Sequence, residues 1–172
     1  AVNAGSLVVN GAGGTLNLGT ALTHTFTSGV TLTSGTLDLN NNNLSIPSFS
    51  SSNSNTRAIT MGSGTLTLSG TGTLWDMTTS DNATITAGTS TIKLTDASAT
   101  GKTFAGGGKT YNNLWLASGT GTGSYTISGN NTFNDFKDDG TVAHSLLFTT
   151  GSTQHLTSWN VSGSAGQLKT IN

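Results

Sequence analysis

The chain has 172 residues, a formal net charge of −1 and only 8% charged residues, against about 25% in an ordinary soluble domain. This charge balance argues against a nucleic-acid-binding protein, which needs a basic patch, and against a polybasic membrane-surface protein. No cysteine or glutamate is present, which excludes disulfides and thiolate sites and leaves few carboxylates for catalysis. No apolar run approaches the ~18 residues that span a bilayer. We therefore expect neither a nucleic-acid partner nor a membrane partner.

The composition favours β structure. Serine and threonine make up about a third of the chain, and threonine suits a pleated surface because it is β-branched. The 24 glycines and the asparagines suit turns, and the single proline, Pro47, removes few donors from strand ladders. Apolar residues do not recur at helical spacing over any window of about eleven residues. The composition thus predicts an all-β protein.

Short segments of alternating polar and aliphatic residues follow one another along the chain. Each has one aliphatic face and one face of threonine, asparagine or lysine, which is the pattern of a half-buried strand. Turn residues separate them. In chain order, the predicted strands include residues 15–18, 30–33, 36–39, 65–68, 84–86 and 91–94.

Two sequence units recur. A Gly-Thr-Leu-x-Leu core occurs at residues 14–18, 35–39 and 64–68, at spacings of about 21 and 29 residues. Later in the chain, Thr-Tyr-Asn-Asn-Leu at 110–114 matches Thr-Phe-Asn-Asp-Phe at 132–136, and a weaker echo begins at Thr153. A period near 22 residues with three short strands per period is typical of one coil of a parallel β-helix.

The sequence therefore predicts a parallel β-helix, or β-solenoid, of about seven coils over residues 1–172. We interpret the chain as one domain and expect it to be a segment of a longer protein or array. The runner-up fold is an antiparallel β-sandwich, which also uses many short strands with frequent turns. The internal repeats favour the β-helix.

Candidate catalytic and metal-binding residues are sparse. The densest acidic cluster is Asp135, Asp138 and Asp139, which are weak candidates for a cation site because their spacing fits no calcium loop. Glycoside cleavage needs two opposed carboxylates, and nothing in the sequence singles out Asp76 with Asp38 or Asp96 as such a pair. We expect no catalytic residue, no resident metal and no cofactor, and hence no enzymatic activity.

The aromatic residues are the other candidates for contacts. Trp115 alternates with two leucines, so strict alternation predicts the outer face if the leucines form the core. We expect it either at a subunit interface or in the core at a bulge, and a glycan contact is the third alternative. Trp75 is a second candidate contact, although Met77 shares its face. Trp159 alternates with Val161 and is expected in the core, and His24 is expected to pack beside a phenylalanine.

Several segments in the second half carry a resemblance. Residues 110–114, 127–136, 147–154 and 159–166 resemble Thr/Gly/Asn-rich solenoid repeats of structural proteins in tailed bacteriophages and of large bacterial surface adhesins. The resemblance covers roughly residues 100–172, and the first half is similar only in style. It implies an extended, repetitive β-helix located on a virion or an extracellular surface, and it carries over no catalytic residue.

The function expected from this resemblance is that of a non-enzymatic structural component of a phage virion, such as a tail fibre, spike or capsid decoration. A segment of a bacterial cell-surface adhesin is the first alternative, and a glycan-binding or glycan-cleaving spike is the second. The expected partners are copies of the chain, in a homo-oligomer such as a trimer, or other virion proteins. A host-surface glycan is a further candidate partner.

Overall fold

A computed structural model describes residues 2–19, 24–117 and 121–172. Within these ranges all regular structure is β, and no helix long and apolar enough to cross a membrane is found. The strands are β1 (Val2–Ala4), β2 (Leu7–Asn17), β3 (His24–Phe26), β4 (Val30–Asp38), β5 (Leu44–Ile46), β6 (Phe49–Ser50), β7 (Arg57–Thr60), β8 (Thr65–Leu68), β9 (Gly72–Asp76), β10 (Ala83–Thr86), β11 (Thr91–Leu94), β12 (Lys102–Ala105), β13 (Thr110–Leu116), β14 (Tyr125–Ser128), β15 (Thr132–Asp138), β16 (His144–Phe148), β17 (His155–Val161) and β18 (Lys169–Ile171).

The strands form two parallel sheets. Sheet A has the order β1-β3-β5-β8-β11-β13-β15-β17, and sheet B has the order β10-β7-β4-β6-β9-β12-β14-β16-β18, with β2 also paired to β4. All the paired strands run parallel, so the chain is a β-solenoid of about seven turns and the β-sandwich alternative is wrong. An isolated bridge between Ser164 and Gln167 is antiparallel.

The cross-section changes along the solenoid. Residues 30–31 of β4 pair with β6, whereas residues 35–38 of β4 pair with β7, so sheet B divides into two faces in the early coils. Together with sheet A, the early coils therefore have three faces. What we call the third face comprises the ends of β2 and β4 together with β7 and β10. From β12 onward the chain passes to β13 through residues 106–109, without a strand on that face. The prediction of three strands per coil thus holds for the first half only.

Gly35 explains why two predicted strands, residues 30–33 and 36–39, form the single bent strand β4. Its φ is 80°, a left-handed conformation that side-chain-bearing residues rarely adopt. A Cβ at this position would also overlap the carbonyl oxygen of Gly11 in the preceding coil. The glycine therefore lets the strand turn from one face of sheet B to the other without ending.

The core is a set of stacked columns of side chains. Parallel register aligns equivalent residues of successive coils, and the inward positions are almost fully buried. One column of sheet A contains Leu44, Leu66, Ile92, Leu114, Phe136 and Trp159. A facing column of sheet B contains Val30, Phe49, Trp75, Phe104, Ile127 and Phe148.

The sequence repeats map onto the coils unequally. The unit at residues 110–114 lies in register with that at 132–136, as predicted. The echo at Thr153 is offset, because Thr132 pairs with His155 rather than with Thr153. The Gly-Thr-Leu-x-Leu units at 14–18 and 35–39 are also in register, but the unit at 64–68 lies in sheet A and is not equivalent to them.

Candidate functional site

The outer face of sheet A carries Trp115 in a column of long side chains. Register places Lys93 of β11 and Lys137 of β15 on either side of it. The Lys93 ammonium lies 4.0 Å from the centroid of the indole ring, and the Lys137 ammonium lies 4.2 Å from it. The indole Nε1 donates a hydrogen bond to Asp139 Oδ1 at 2.7 Å. Trp115 is half-buried, on the face that the alternation with leucine predicts.

The two lysines change what Trp115 can bind. Each ammonium makes a cation–π contact with the indole ring. One contact comes from the preceding coil and the other from the following coil. A sugar that stacks on an aromatic ring needs one of its faces. Trp115 therefore offers its edge to a ligand, and face-on stacking of a sugar requires displacement of a lysine.

Asp139 completes this arrangement. Its Oδ2 lies 3.0 Å from Lys137 Nζ, and its Oδ1 accepts from Trp115. Burial acts to raise the pKa of Asp139, but the hydrogen bonds from Trp115 and Lys137 outweigh it, so the pKa lies below the ordinary value. Lys93, Trp115, Lys137 and Asp139 thus form one connected group, which we call the Trp115 ladder.

Two depressions adjoin the Trp115 ladder. One has a volume of about 130 Å³ and is lined by Thr91, Asn113, Asp135 and parts of the ladder. The other has a volume of about 440 Å³ and lies beside Trp159 and Asn160. The smaller one brings together a hydroxyl, an amide and a carboxylate, but it lies below the 300–1,000 Å³ typical of ligand pockets.

The three acidic candidates do not converge. Asp135 accepts a hydrogen bond from Asn160 Nδ2 at 2.7 Å, whereas Asp139 belongs to the Trp115 ladder. Asp138 points inward in the column between Leu116 and Val161. Across the described ranges, no group of three or more histidine, cysteine or acidic side chains is placed to hold a metal ion.

The acidic residues considered for glycoside cleavage are not register partners of one another in the described sheets. Asp38 pairs in register with Asn17 and Thr60. Asp76 pairs instead with Ser50 and Ala105 of other strands. Asp96 lies in the loop after β11, where it binds Lys102.

Trp75 is not a surface contact, because it has no exposed area in the folded protein. Its ring stacks between Phe49, at a centroid distance of 4.4 Å, and Phe104, at 5.9 Å. Its Nε1 donates to the Tyr111 hydroxyl at 2.9 Å, and that hydroxyl donates to the Gly106 carbonyl at 2.7 Å. Burial raises the pKa of Tyr111, which stays neutral and can serve this chain of hydrogen bonds.

The predictions for Trp159 and His24 have different outcomes. Trp159 points inward and stacks on Phe136 at a centroid distance of 5.0 Å, as its spacing predicts. However, 40% of its surface is exposed, because β17 is the last strand of sheet A in the described part of the chain. The backbone of His24 belongs to β3, while its side chain lies outside the described structure.

The sequence reasoning missed the buried charges. Arg57 is 2% exposed and donates to the carbonyls of Ser51, Asn55, Thr79 and Asp81, which belong to two neighbouring loops. Burial lowers the pKa of Arg57, opposed by the charge of Asp81. The scarcity of charged residues was the one signal in the sequence that pointed to these side chains. A cation in a polar turn region otherwise gives no sign that it is buried.

Lys102 is a second buried cation. Its Nζ lies 3.0 Å from Asp96 Oδ1 and donates to the Ser98 carbonyl at 2.6 Å. Burial acts to raise the pKa of Asp96, but hydrogen bonds from Ser98 and Lys102 lower it below the ordinary value. This pair ties the loop that follows β11 to the first residue of β12.

A third buried group joins three strands. The side chains of Asp138 and His144 have no exposed area, and that of Lys169 is 4% exposed. His144 Nε2 lies 2.8 Å from Asp138 Oδ2, and Lys169 Nζ lies 3.8 Å from Asp138 Oδ1. In the sequence, these residues are separated by loops, and no spacing rule connects them.

Comparison with protein-family models, with curated proteins and with solved structures found no match to this chain.

Proposed function

We propose that this chain is a non-enzymatic structural segment of a phage virion, belonging to a tail fibre, a spike or a capsid decoration. The observation that carries the proposal is the continuity of the core. A column of aliphatic and aromatic side chains runs from Leu44 to Trp159, and each coil is fixed to the next by parallel ladders. Such a stack suits an extended, rigid part because each coil stabilises its neighbours.

The use of polar side chains supports a structural role. The buried basic side chains bind groups of the chain itself: Arg57, Lys102 and His144 contact loop carbonyls or carboxylates. On the outer face, Asn113 donates to Thr91 of the preceding coil, and Asn134 donates to Asn113. These contacts stiffen the stack of coils along its length.

The residues that carry the resemblance to phage repeats lie in strands of the solenoid. The Thr-Tyr-Asn-Asn-Leu unit begins β13, and the Thr-Phe-Asn-Asp-Phe unit begins β15. In both units the aromatic second residue, Tyr111 or Phe133, points into the core, and the two rings stack at a centroid distance of 5.5 Å. The similar residues are thus those that build the solenoid.

The proposed partners are copies of this chain, with a trimer as one arrangement, or other virion proteins. Host-surface glycan is the alternative partner, and the Trp115 ladder, with the smaller depression beside Asp135, is where it would bind. A bacterial surface adhesin would use the same rigid stack in a different location. Location therefore separates the main proposal from its first alternative.

The proposal is tested by mass spectrometry of phage particles purified on density gradients from a producing culture. We expect peptides of this chain to sediment with the particles, in a fixed ratio to the major capsid protein. A matched gradient of the cell envelope fraction serves as the control. Peptides found only in the envelope fraction would contradict the virion role and favour the adhesin.

A further inference from the structure

The buried group of Asp138, His144 and Lys169 sits where the chain passes from β15 to β16, and β18 closes it. Lys169 Nζ donates to the Val142 carbonyl at 2.5 Å and lies 3.1 Å from His144 Nδ1. His144 Nδ1 is in turn 3.1 Å from the same Val142 carbonyl. Nδ1 and the ammonium of Lys169 therefore both face one carbonyl oxygen.

Other titratable groups surround this cluster. The Tyr125 ring of β14 packs on His144 at a centroid distance of 5.0 Å, and Lys102 of β12 lies over that tyrosine ring at 5.4 Å. Asp139 adds a second negative charge near Lys169. Burial lowers the pKa of Lys169, and the two aspartates oppose that effect. Lys102 and Asp139 each have a partner of opposite charge, Asp96 and Lys137.

Two contacts of the His144 ring bear on its protonation state. Its Nε2 must donate, because the carboxylate of Asp138 at 2.8 Å is an acceptor. Its Nδ1 can accept from the ammonium of Lys169, which has only donors. Neutral histidine protonated at Nε2 satisfies both contacts, and the cluster then holds one positive and one negative charge.

Protonation of Nδ1 reverses one of these contacts. The new N–H would point at the ammonium of Lys169, and two cations would share one buried carboxylate. The Val142 carbonyl is within hydrogen-bond distance of Nδ1, so the imidazolium has an acceptor available. Lys169 already donates to that carbonyl, so two adjacent cations would share its oxygen.

We propose that this cluster is a proton-sensitive latch, in which protonation of His144 sets the imidazolium against the adjacent ammonium of Lys169, expels Lys169 and releases β18 from sheet B. The latch depends on the gain of one proton by an imidazole, the side chain that serves most often as a proton switch in proteins. The strand is held otherwise by its ladder with β16, which includes the bond from the Asn172 amide to the Leu146 carbonyl at 2.9 Å. Residues 170–172 are exposed, so little packing resists the release.

The latch is tested by hydrogen–deuterium exchange of the full chain at pH 7.5 and pH 5.0, with exchange times corrected for intrinsic rates. We expect residues 162–172 to exchange at least tenfold faster at pH 5.0, while residues 30–94 keep their protection. His144→Gln should remain protected at both pH values, because a glutamine amide can donate to Asp138 and accept from Lys169 without titrating. His155→Gln, at an exposed histidine, is the matched control and should behave like the wild type.

Equal protection of residues 162–172 at both pH values in the wild type would overturn the latch. So would a loss of protection in His144→Gln that is as large as in the wild type. If His144→Gln does not fold, ¹⁵N NMR of the wild-type imidazole decides the question. A neutral ring protonated at Nε2 at pH 7.5 is expected, and an imidazolium at that pH would contradict the proposal.

Discussion

At the scale of single residues, the interior of this solenoid depends on polar atoms that find partners. The indole of Trp75 lies between Phe49 and Phe104, yet its N–H reaches the Tyr111 hydroxyl. That hydroxyl reaches a turn carbonyl, at Gly106. One tyrosine thus satisfies a donor of one coil and an acceptor of the next. Its hydroxyl group therefore contributes more to folding stability than its size suggests.

Tyr111→Phe should lower the free energy of unfolding by about 1–3 kcal/mol, because it leaves the buried N–H of Trp75 without an acceptor. Chemical denaturation followed by tryptophan fluorescence measures this change. Thr73→Val removes an exposed hydroxyl at similar volume and should change stability by less than about 0.5 kcal/mol. Equal effects of the two substitutions would show that the buried chain of hydrogen bonds contributes nothing special.

Gly88→Ala should be much more destabilising than Gly72→Ala, although both glycines have positive φ, 58° and 68°. A Cβ at Gly88 would overlap the carbonyl oxygen of Gly62 in the preceding coil, whereas a Cβ at Gly72 meets no atom within 4 Å. We expect about 1 kcal/mol for Gly72→Ala, from the left-handed backbone alone, and several times that for Gly88→Ala. Thermal unfolding compares them, and similar losses would contradict the close approach of these coils.

At the scale of elements, buried side chains hold the loops in place, and parallel pairing in a fixed register holds the strands. Arg57 is the first residue of β7, and its guanidinium binds carbonyls of residues 51–55 and 79–81. Five donors in a planar fork allow one side chain to satisfy several loop carbonyls at once. Two neighbouring coils are joined by this residue at a corner where no strand joins them.

Arg57→Met should lower the free energy of unfolding by about 3 kcal/mol or more, because it leaves several buried carbonyls without donors. Arg57→Lys should recover only part of the loss, since an ammonium cannot reproduce the fork. Hydrogen–deuterium exchange should rise in residues 51–56 and 78–82. Lys109→Met is the matched control, because within the described structure the Lys109 ammonium donates to one carbonyl, that of Ala83. A loss no larger than that of the control would contradict this role of Arg57.

Much of the strand pattern is readable from the sequence, because a period of two needs no knowledge of distant residues. The strands at residues 65–68 and 91–94 have the predicted bounds. The loss of the third face was not readable, since residues 106–109 form a tight turn only in the context of the coils around them. The buried position of Asp138 was also missed, because its partners His144 and Lys169 come together only after β16 and β18 pair.

Trp115 shows a similar division. Alternation with leucine predicts its outer face correctly, because that depends on adjacent residues alone. The two lysines that cover its ring lie about 22 residues away on either side, and only the coil register brings them to it. Trp75 shows the opposite case, since Leu74 and Met77 place apolar residues on both faces of the segment, and alternation does not reveal which face is buried.

At the scale of the whole molecule, the stability of this solenoid comes from contacts between successive coils. In such a stack, each unit contacts only its neighbours, so stability is spread along the length. The outer faces are polar and mostly uncharged, with charges held in pairs such as Lys137 with Asp139. These properties suit a durable structural part and are the basis of the proposed virion role.

The most direct test of that role is immunogold electron microscopy of a producing culture with an antibody raised against this chain. We expect gold on phage heads or tails, at a repeated position that identifies the virion part. Particles of a phage mutant lacking the chain provide the control for antibody specificity. Gold on cell walls or shed filaments, with the phage particles unlabelled, would contradict the virion role and make the adhesin the leading hypothesis.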